Sequence, residues 1–199
     1  MSDNYDKIIN NNLGRLFQNM PPDLSHRIQG MCEGQTISFL AFGKQCFVTP
    51  HGITLNEEPT YGPMGIILSL YLLHATPNSP ILFPFKSFKE FPNSMPYVGA
   101  FTTHTEHILI PHVKSIEKNN QKLINMLHGQ PAPSEVSGDF AMIVTPLPKI
   151  KLCYIFYHAD EDFPASVTCL FSNNANKFLP MDALADVGEY TSRMIISSL

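Results

Sequence analysis

Charge is scarce in this 199-residue chain: Asp, Glu, Lys and Arg together make up 15% of it, against about 25% in ordinary soluble domains. The 13 basic and 17 acidic residues leave a net charge of -4. The basic residues are scattered. Their nearest approach to a cluster is Lys114, Lys118 and Lys122, whose spacing fits a solvated helix face better than a phosphate track. Nucleic-acid binding, which needs clustered Lys and Arg, is therefore disfavoured. Long apolar runs are missing too. The most apolar segment, Met64 to Leu73, falls short of the ~20 residues that span a bilayer. No basic stretch followed by an apolar one opens the chain, so no secretory signal and no membrane partner are expected. The four cysteines, Cys32, Cys46, Cys153 and Cys169, lack any Cys-x-x-Cys spacing, which excludes a zinc ribbon, a redox dithiol or an iron–sulfur ligand run of that pattern. Cys46, Cys153 and Cys169 lie in apolar runs, where a thiol behaves as a small hydrophobe. A cytoplasmic protein with reduced thiols is expected. There is no Gly-x-Gly-x-x-Gly, no Walker-type phosphate loop and no Gly-x-Ser-x-Gly elbow, so nucleotide-dependent chemistry and serine hydrolysis are disfavoured.

What is present is a globular pattern. Hydrophobic residues make up 44% of the chain, enough for one domain over residues 1–199 with a substantial core. Seventeen prolines exceed the roughly ten of average usage, but they punctuate the chain rather than forming a tract. Asp3 is placed to cap a helix running to about Asn19, stopped by Pro21 and Pro22. Asp23 opens a short helix, Leu24 to Gln29. Thr36 to Phe42 and Gln45 to Thr49 read as a hairpin around Gly43–Lys44, with a further strand at Ile53 to Leu55. Pro63 starts a helix to about Ala75 that is apolar nearly all round and so central to the core. A proline- and phenylalanine-rich connection follows, with a helical turn at Lys86 to Phe91. Helices are predicted over Val98 to Ile110 and His112 to Leu127, divided by Pro111. Strands over Phe140 to Thr145, Ile150 to His158 and Val167 to Phe171 precede a closing helix, Asp182 to Ser197. The strand Ile150 to His158 is apolar on both faces, as a covered central strand must be. The sum is an α+β fold, mainly antiparallel, with strand groups at about 36–55 and 139–171 and a buried central helix near 63–75.

Three groups of residues carry chemistry in principle. His104, Thr105, Glu106 and His107 are followed by His112. On a helix His104 and His107 share a face, as two metal ligands must, and Glu106 joins from the side. Structural or solvent-facing histidines are the competing reading. His158 and the acids Asp160, Glu161 and Asp162 end the central strand, where they would hold a hard cation or a general base, or simply form a solvated turn. Phe83, Phe85, Phe88, Phe91 and Tyr97, interleaved with Lys86, Lys89 and Glu90, make either a core stripe or the wall of a pocket for a flat ligand or a partner helix.

Several short motifs occur in one order: Leu70-Tyr-Leu-Leu-His74, Phe85-Lys-Ser-Phe-Lys-Glu-Phe-Pro92, Gly138–Asp139, Pro146-Leu-Pro148, Asp160-Glu-Asp-Phe-Pro164, Leu170–Phe171 and Phe178-Leu-Pro180. In that order and with those separations the chain resembles a prokaryotic family, the domain-of-unknown-function family 3786. Some relatives carry an N-terminal four-cysteine iron–sulfur module of the kind found in corrinoid proteins; this chain has no such module. The resemblance implies an anaerobic redox or corrinoid setting, with a redox, corrinoid or iron–sulfur protein as partner. It transfers no activity. The first expectation is a cytoplasmic ligand- or protein-binding accessory domain, with His158, Asp160, Glu161, Phe85 and Phe88 as binding residues and a tetrapyrrole as one conceivable ligand. The second is a small metal-binding protein or metal-dependent enzyme, holding a transition metal on His104, His107 and His112 or an ion on Asp160 to Asp162.

Overall fold

The structure is a computed structural model that describes residues 2–199, with side chains from residue 4 onward; the Asp3 cap falls outside those side chains. Helix α1 (Ser2–Gln18) buries Ile9, Leu13 and Leu16. Helix α2 (Leu24–Ile28) ends on Gln29 in the left-handed conformation. Asp23 precedes α2 without capping it; its carboxylate instead takes the Arg27 Nε at 2.8 Å.

The first sheet is an antiparallel meander in chain order: β1 (Met31–Glu33), β2 (Thr36–Ala41), β3 (Lys44–Thr49), β4 (Gly52–Leu55) and β5 (Glu58–Pro59). Its central hairpin turns one residue earlier than the sequence suggests. Ala41 pairs with Lys44, which leaves Phe42 and Gly43 as the turn residues, at φ 51° and 75°. Both positive values belong to the primed turn that matches strand twist, yet a bulky Phe is uncommon there. Tertiary contact explains it. Phe42 is buried and its N–H donates to the Pro146 carbonyl at 2.6 Å, while Gly43 lies so close to the Met126 carbonyl oxygen that no Cβ fits.

The second sheet contains β6 (Lys86–Ser87), β7 (Gln130–Pro131), β8 (Phe140–Leu147), β9 (Ile150–Tyr157) and β10 (Ser166–Phe171), in the antiparallel order β6-β10-β9-β8-β7. β9 is central, as its two apolar faces require. Ile150, Leu152, Tyr154 and Phe156 enter the main core; Cys153 and Ile155 face the other way, under Phe85, Ala132 and Val136. Pro146 does not end β8: the register shifts between Val144 and Leu147, and the turn narrows to Pro148–Lys149. Lys149 is 2% exposed. Its Nζ donates to the Thr76 and Asn78 carbonyls, each at 2.8 Å, and lies 5.3 Å from the Phe178 ring centroid.

Helix α3 (Gly62–Leu73) is the buried helix predicted from its all-round apolar face, packed against α1 and against α7 (Met181–Ser197). Buried polar atoms fix its seat: Asn12 Nδ2 donates to Ser69 Oγ at 2.9 Å and the Tyr71 hydroxyl to the Ile28 carbonyl at 2.9 Å. The uniform helix expected over Val98 to Ile110 is three structures in series. α4 (Val98–Phe101) runs into a π-turn, Thr102–Glu106, and then a 3-10 stretch, His107–His112, that absorbs Pro111. α5 (Val113–Lys118) and α6 (Asn120–Met126) follow, broken at Asn119. One continuous hydrophobic core joins both sheets to α1, α3 and α7, which makes the fold α+β with two antiparallel strand groups around a buried helix. Among the described residues no helix is long and apolar enough to cross a membrane.

Gly43→Ala is expected to destabilise the chain by about 3 kcal/mol, because a Cβ there meets backbone and the left-handed φ is strained. Urea denaturation measures this; a loss below about 1 kcal/mol would mean that the hairpin tip is not seated as described.

Candidate functional site

The π-turn is positioned by polar atoms that leave no room for an ordinary helix. His107 N–H reaches back to the Thr102 carbonyl, the hydrogen bond that defines the widened turn. The carbonyl of Thr105 is taken instead by α7, through Ser192 Oγ at 2.8 Å. With that hydroxyl proton committed, the buried Tyr154 hydroxyl donates toward Ser192 Oγ at 3.0 Å and the Gly188 carbonyl at 3.3 Å. Burial raises the Tyr154 phenol well above its ordinary range, so it stays a donor.

Widening the turn points Glu106 inward. Its Oε1 accepts the Cys169 N–H at 2.9 Å, and the Thr102 hydroxyl supplies a second hydrogen bond. The reason lies in the sheet: Cys169 pairs with Tyr154 of β9 on one side, but β6 ends at Ser87, opposite Leu170, so the other side of β10 has no strand at Cys169 and a carboxylate takes its place. Burial raises the Glu106 pKa, against those two hydrogen bonds. A small cavity of about 230 Å3 lies between it and Lys89, Thr168 and Phe101.

On the other side of Phe101 two hollows adjoin. One is an open groove of about 530 Å3, walled by Pro92, Pro96, Leu179, Pro180 and Met181. The other is a socket of about 180 Å3 between Tyr97, Phe101, Thr105 and the α7 residues Asp182, Asp186 and Glu189. Tyr97 and Asp182 belong to both. Three acids at helical spacing thus face one socket, and their situations differ. Asp182 Oδ1 accepts the Ala183 N–H at 2.8 Å, and Glu189 pairs with Arg193 at 2.8 Å. The Asp186 carboxylate makes no hydrogen bond or ion pair with another described residue. Burial, then the like charges of Glu189 and Asp182, push its carboxyl up to about 6.

Most of the residues singled out from sequence lie outside the groove and the socket. His104 and His107 stand exposed on the outside of the π-turn and the start of the 3-10 stretch, while Glu106 points away from them into the protein. His112 is half-buried. Among the described residues no three His, Cys, Asp or Glu side chains come together as a metal-binding group. Asp160 folds its own turn: its Oδ1 accepts the N–H groups of Asp162 and Phe163 at 2.9 and 2.7 Å, and Glu161 is exposed. His158 lies over Phe140 and meets Glu117 Oε2 at 3.3 Å, with its backbone N–H held by Asp139. Phe88 and Phe91 are core residues, Phe88 stacking on Phe101 at 4.5 Å and Phe91 lying edge-on to Phe171 at 5.9 Å. Phe85 covers the outer face of the second sheet. Of the aromatic set, Tyr97 reaches the groove. Asp182, Asp186 and Glu189 were visible as three acids at i, i+4 and i+7, an arrangement that costs a helix stability and so asks for a reason.

A carboxyl whose folded pKa exceeds its unfolded value holds its proton more tightly when folded. The stability it contributes is complete below about pH 4 and is lost as the pH rises through about 6. The full shift corresponds to about 3 kcal/mol, reduced to about 1 kcal/mol by the partial solvent exposure of the group. Asp186→Asn is therefore expected to be more stable than the parent by about 1 kcal/mol at pH 7, with a flatter stability profile between about pH 4 and 6.5. Urea titrations of both proteins at three pH values check this; equal slopes would contradict the burial of Asp186.

A family model described as "Domain of unknown function (DUF3786)" matches residues 20–194. No curated protein and no solved structure shows significant similarity to the chain. The matched residues include every side chain of the groove and the socket. A separate cavity of about 510 Å3, between Ile9 of α1 and Phe47, Ile53 and Tyr61 of the first-sheet region, takes its α1 wall from residues before the match. With a match across most of its length, the chain belongs to the DUF3786 family.

Proposed function

We propose that the chain is a cytoplasmic, non-enzymatic accessory domain that binds a ligand or a partner protein in the groove beside Tyr97. The observation that carries this reading is the adjoining pair of hollows. A proline-walled groove of mixed polarity, with Asn93 and Asn176 among its lining residues, opens beside a socket with convergent acids and a displaced carboxyl, a combination characteristic of binding sites. Proline walls also hold their shape, so little conformational entropy is lost when the groove is filled.

The nucleophiles argue for binding rather than catalysis. All four cysteines are unpaired. Burial pushes the Cys46 and Cys153 thiols up to about 12 and raises Cys169 well above its ordinary value, so the reactive thiolate is suppressed in each. Glu106, the other displaced carboxyl, is engaged by a backbone N–H and a hydroxyl. Reduced cysteines suit a cytoplasmic location. The partner we propose is an anaerobic redox or corrinoid protein, a reading supported by the resemblance to relatives that carry an iron–sulfur module.

Purified without oxygen and without a metal-affinity column, the protein is expected to be colourless and free of stoichiometric transition metal. Indole, as an aromatic probe of the groove, is expected to give saturable amide shifts at Asn93, Asn176 and Met181 that Tyr97→Ser removes. A stoichiometric metal, or indole shifts confined to other parts of the fold, would overturn the proposal.

A further inference from the structure

Arginine is the scarcest charged residue in the chain, which has Arg15, Arg27 and Arg193 and no other. Arg193 is held by Glu189 at 2.8 Å. The remaining two open on one hollow of about 290 Å3, where the ends of α1 and α3 meet α2. The seating of α2 puts Arg27 there: the carbonyl of the next residue, Ile28, takes the Tyr71 hydroxyl of α3 at 2.9 Å. Arg15 occupies the last turn of α1, with Asn19 four residues on at the rim. Leu16, Pro21, Leu72 and Leu73 supply an apolar wall, and no Asp or Glu is in the lining.

Folding uses little of either guanidinium. Arg27 gives its Nε to Asp23 at 2.8 Å, which leaves both Nη groups without a hydrogen-bond partner among the described residues. The Arg15 guanidinium makes no hydrogen bond or ion pair with another described residue. A second, independent feature lies behind the hollow. Lys149 is buried, and its Nζ is held by the carbonyls of Thr76 and Asn78, just beyond Ala75 in the hollow's wall. Burial, and then the charge of Arg27, lower its pKa. Three cations thus share this corner of the fold with one bonded acid, Asp23. A buried ammonium held by carbonyls alone, beside a second positive charge, is short of an anion.

We infer that this hollow binds a small monocarboxylate, its oxygens taken by Arg15 and Arg27 and its apolar body laid against Leu16, Leu72 and Leu73. Each part of the hollow matches that chemistry. A guanidinium presents its N–H groups as a planar fork that fits a carboxylate, and the Asn19 amide adds a neutral donor at the rim. Leucine and proline walls favour a ligand that is apolar beyond its charged end. The volume, about 290 Å3, lies at the foot of the ~300–1,000 Å3 range of pockets for drug-sized molecules and suits a short body. A phosphate dianion is the poorer fit, because Asp23 stays bonded to Arg27 and repels a second negative charge more strongly. The hollow shares no residue with the groove or the socket beside Tyr97, so the inference stands apart from the reading of that face.

The experiment is an NMR titration of the full chain at pH 7 with sodium hexanoate. Hexanamide is the neutral control, acetate the control without an apolar body, and hexyl phosphate the dianion. The expected result is saturable amide shifts at Leu16, Asn19, Arg27, Leu73 and Ala75 for hexanoate and none for hexanamide. Arg15→Gln and Arg27→Gln should each weaken hexanoate by roughly tenfold, and Arg15→Lys, which keeps the charge and loses the fork, by less. Both arginines are at least partly exposed, so the variants should fold, and melting curves check that they do. Acetate should bind several-fold more weakly than hexanoate, and so should hexyl phosphate. Hexanoate shifts absent from the hollow, or unchanged in both Gln variants, overturn the inference. Equal binding of acetate and hexanoate also overturns it, because it would mark ion pairing at the surface without a built site. Tighter binding of hexyl phosphate would overturn the assignment to a carboxylate.

Discussion

Across the core that the two sheets share, one backbone hydrogen bond among the described residues links them directly, Phe42 N–H to the Pro146 carbonyl, and the turn of the first sheet depends on that joint. Phe42 is held at positive φ in the turn of the first sheet, a conformation its bulk disfavours, because its ring is buried and its amide has a partner across the interface. Pro146 is a suitable acceptor. A proline in a strand has no N–H to donate, and here it lies where the β8–β9 register shifts, so its carbonyl is free to point outward. Gly43 lies against the Met126 carbonyl because nothing larger fits. A turn that looks unfavourable in isolation is thus selected by the surface it enters.

Behind that joint, the core is fixed by a small number of buried polar atoms. Tyr154, Ser192 and Thr105 form a chain of hydrogen bonds from the centre of the second sheet through α7 to the π-turn. Gly188 lets the turn approach α7 closely, since a Cβ there would press on the Phe101 ring and the Thr105 side chain. Such a network has one satisfied arrangement, which specifies the contact more sharply than apolar packing would. It also sets the candidate site. With the Thr105 carbonyl committed to α7, the turn opens by one residue, Glu106 points inward to complete the edge of β10, and the Thr105 side chain is left lining the socket.

The fold was largely legible because its signals were local and periodic. The all-round apolar stretch from Met64 to Leu73 could only be a buried helix, and the two apolar faces of Ile150 to Tyr157 could only be a covered strand. Features set by distant contacts were not legible. The turn at Phe42–Gly43, the π-turn, and Lys149 buried among carbonyls each depend on a partner remote in sequence. The site was less readable for the same reason. The histidines and the acids near Asp160 drew attention because they are clustered in sequence, but His104 and His107 are exposed on the π-turn and the 3-10 stretch after it, and Asp160 serves the backbone of its own turn. Asp182, Asp186 and Glu189 were dispersed along what read as the polar face of a closing helix. Only the packing of Tyr97 and Phe101 over that face turns it into a socket.

Low charge content sharpens the meaning of what remains. In a chain where most ionisable side chains are exposed or paired, three acids on one stretch of α7 are a concentrated exception. Helix electrostatics accounts for Asp182, which sits in the first turn where the N–H groups of α7 favour an anion. An i,i+4 ion pair accounts for Glu189. Neither accounts for Asp186, which lies beyond the first turn, has no cation beside it, and is pressed by both neighbours. Replacing it with a neutral residue would relieve that repulsion and improve the isolated fold. A position where the native residue is worse for stability than a simple substitute is one where folding alone does not explain the side chain, and such residues are concentrated at sites that meet something else.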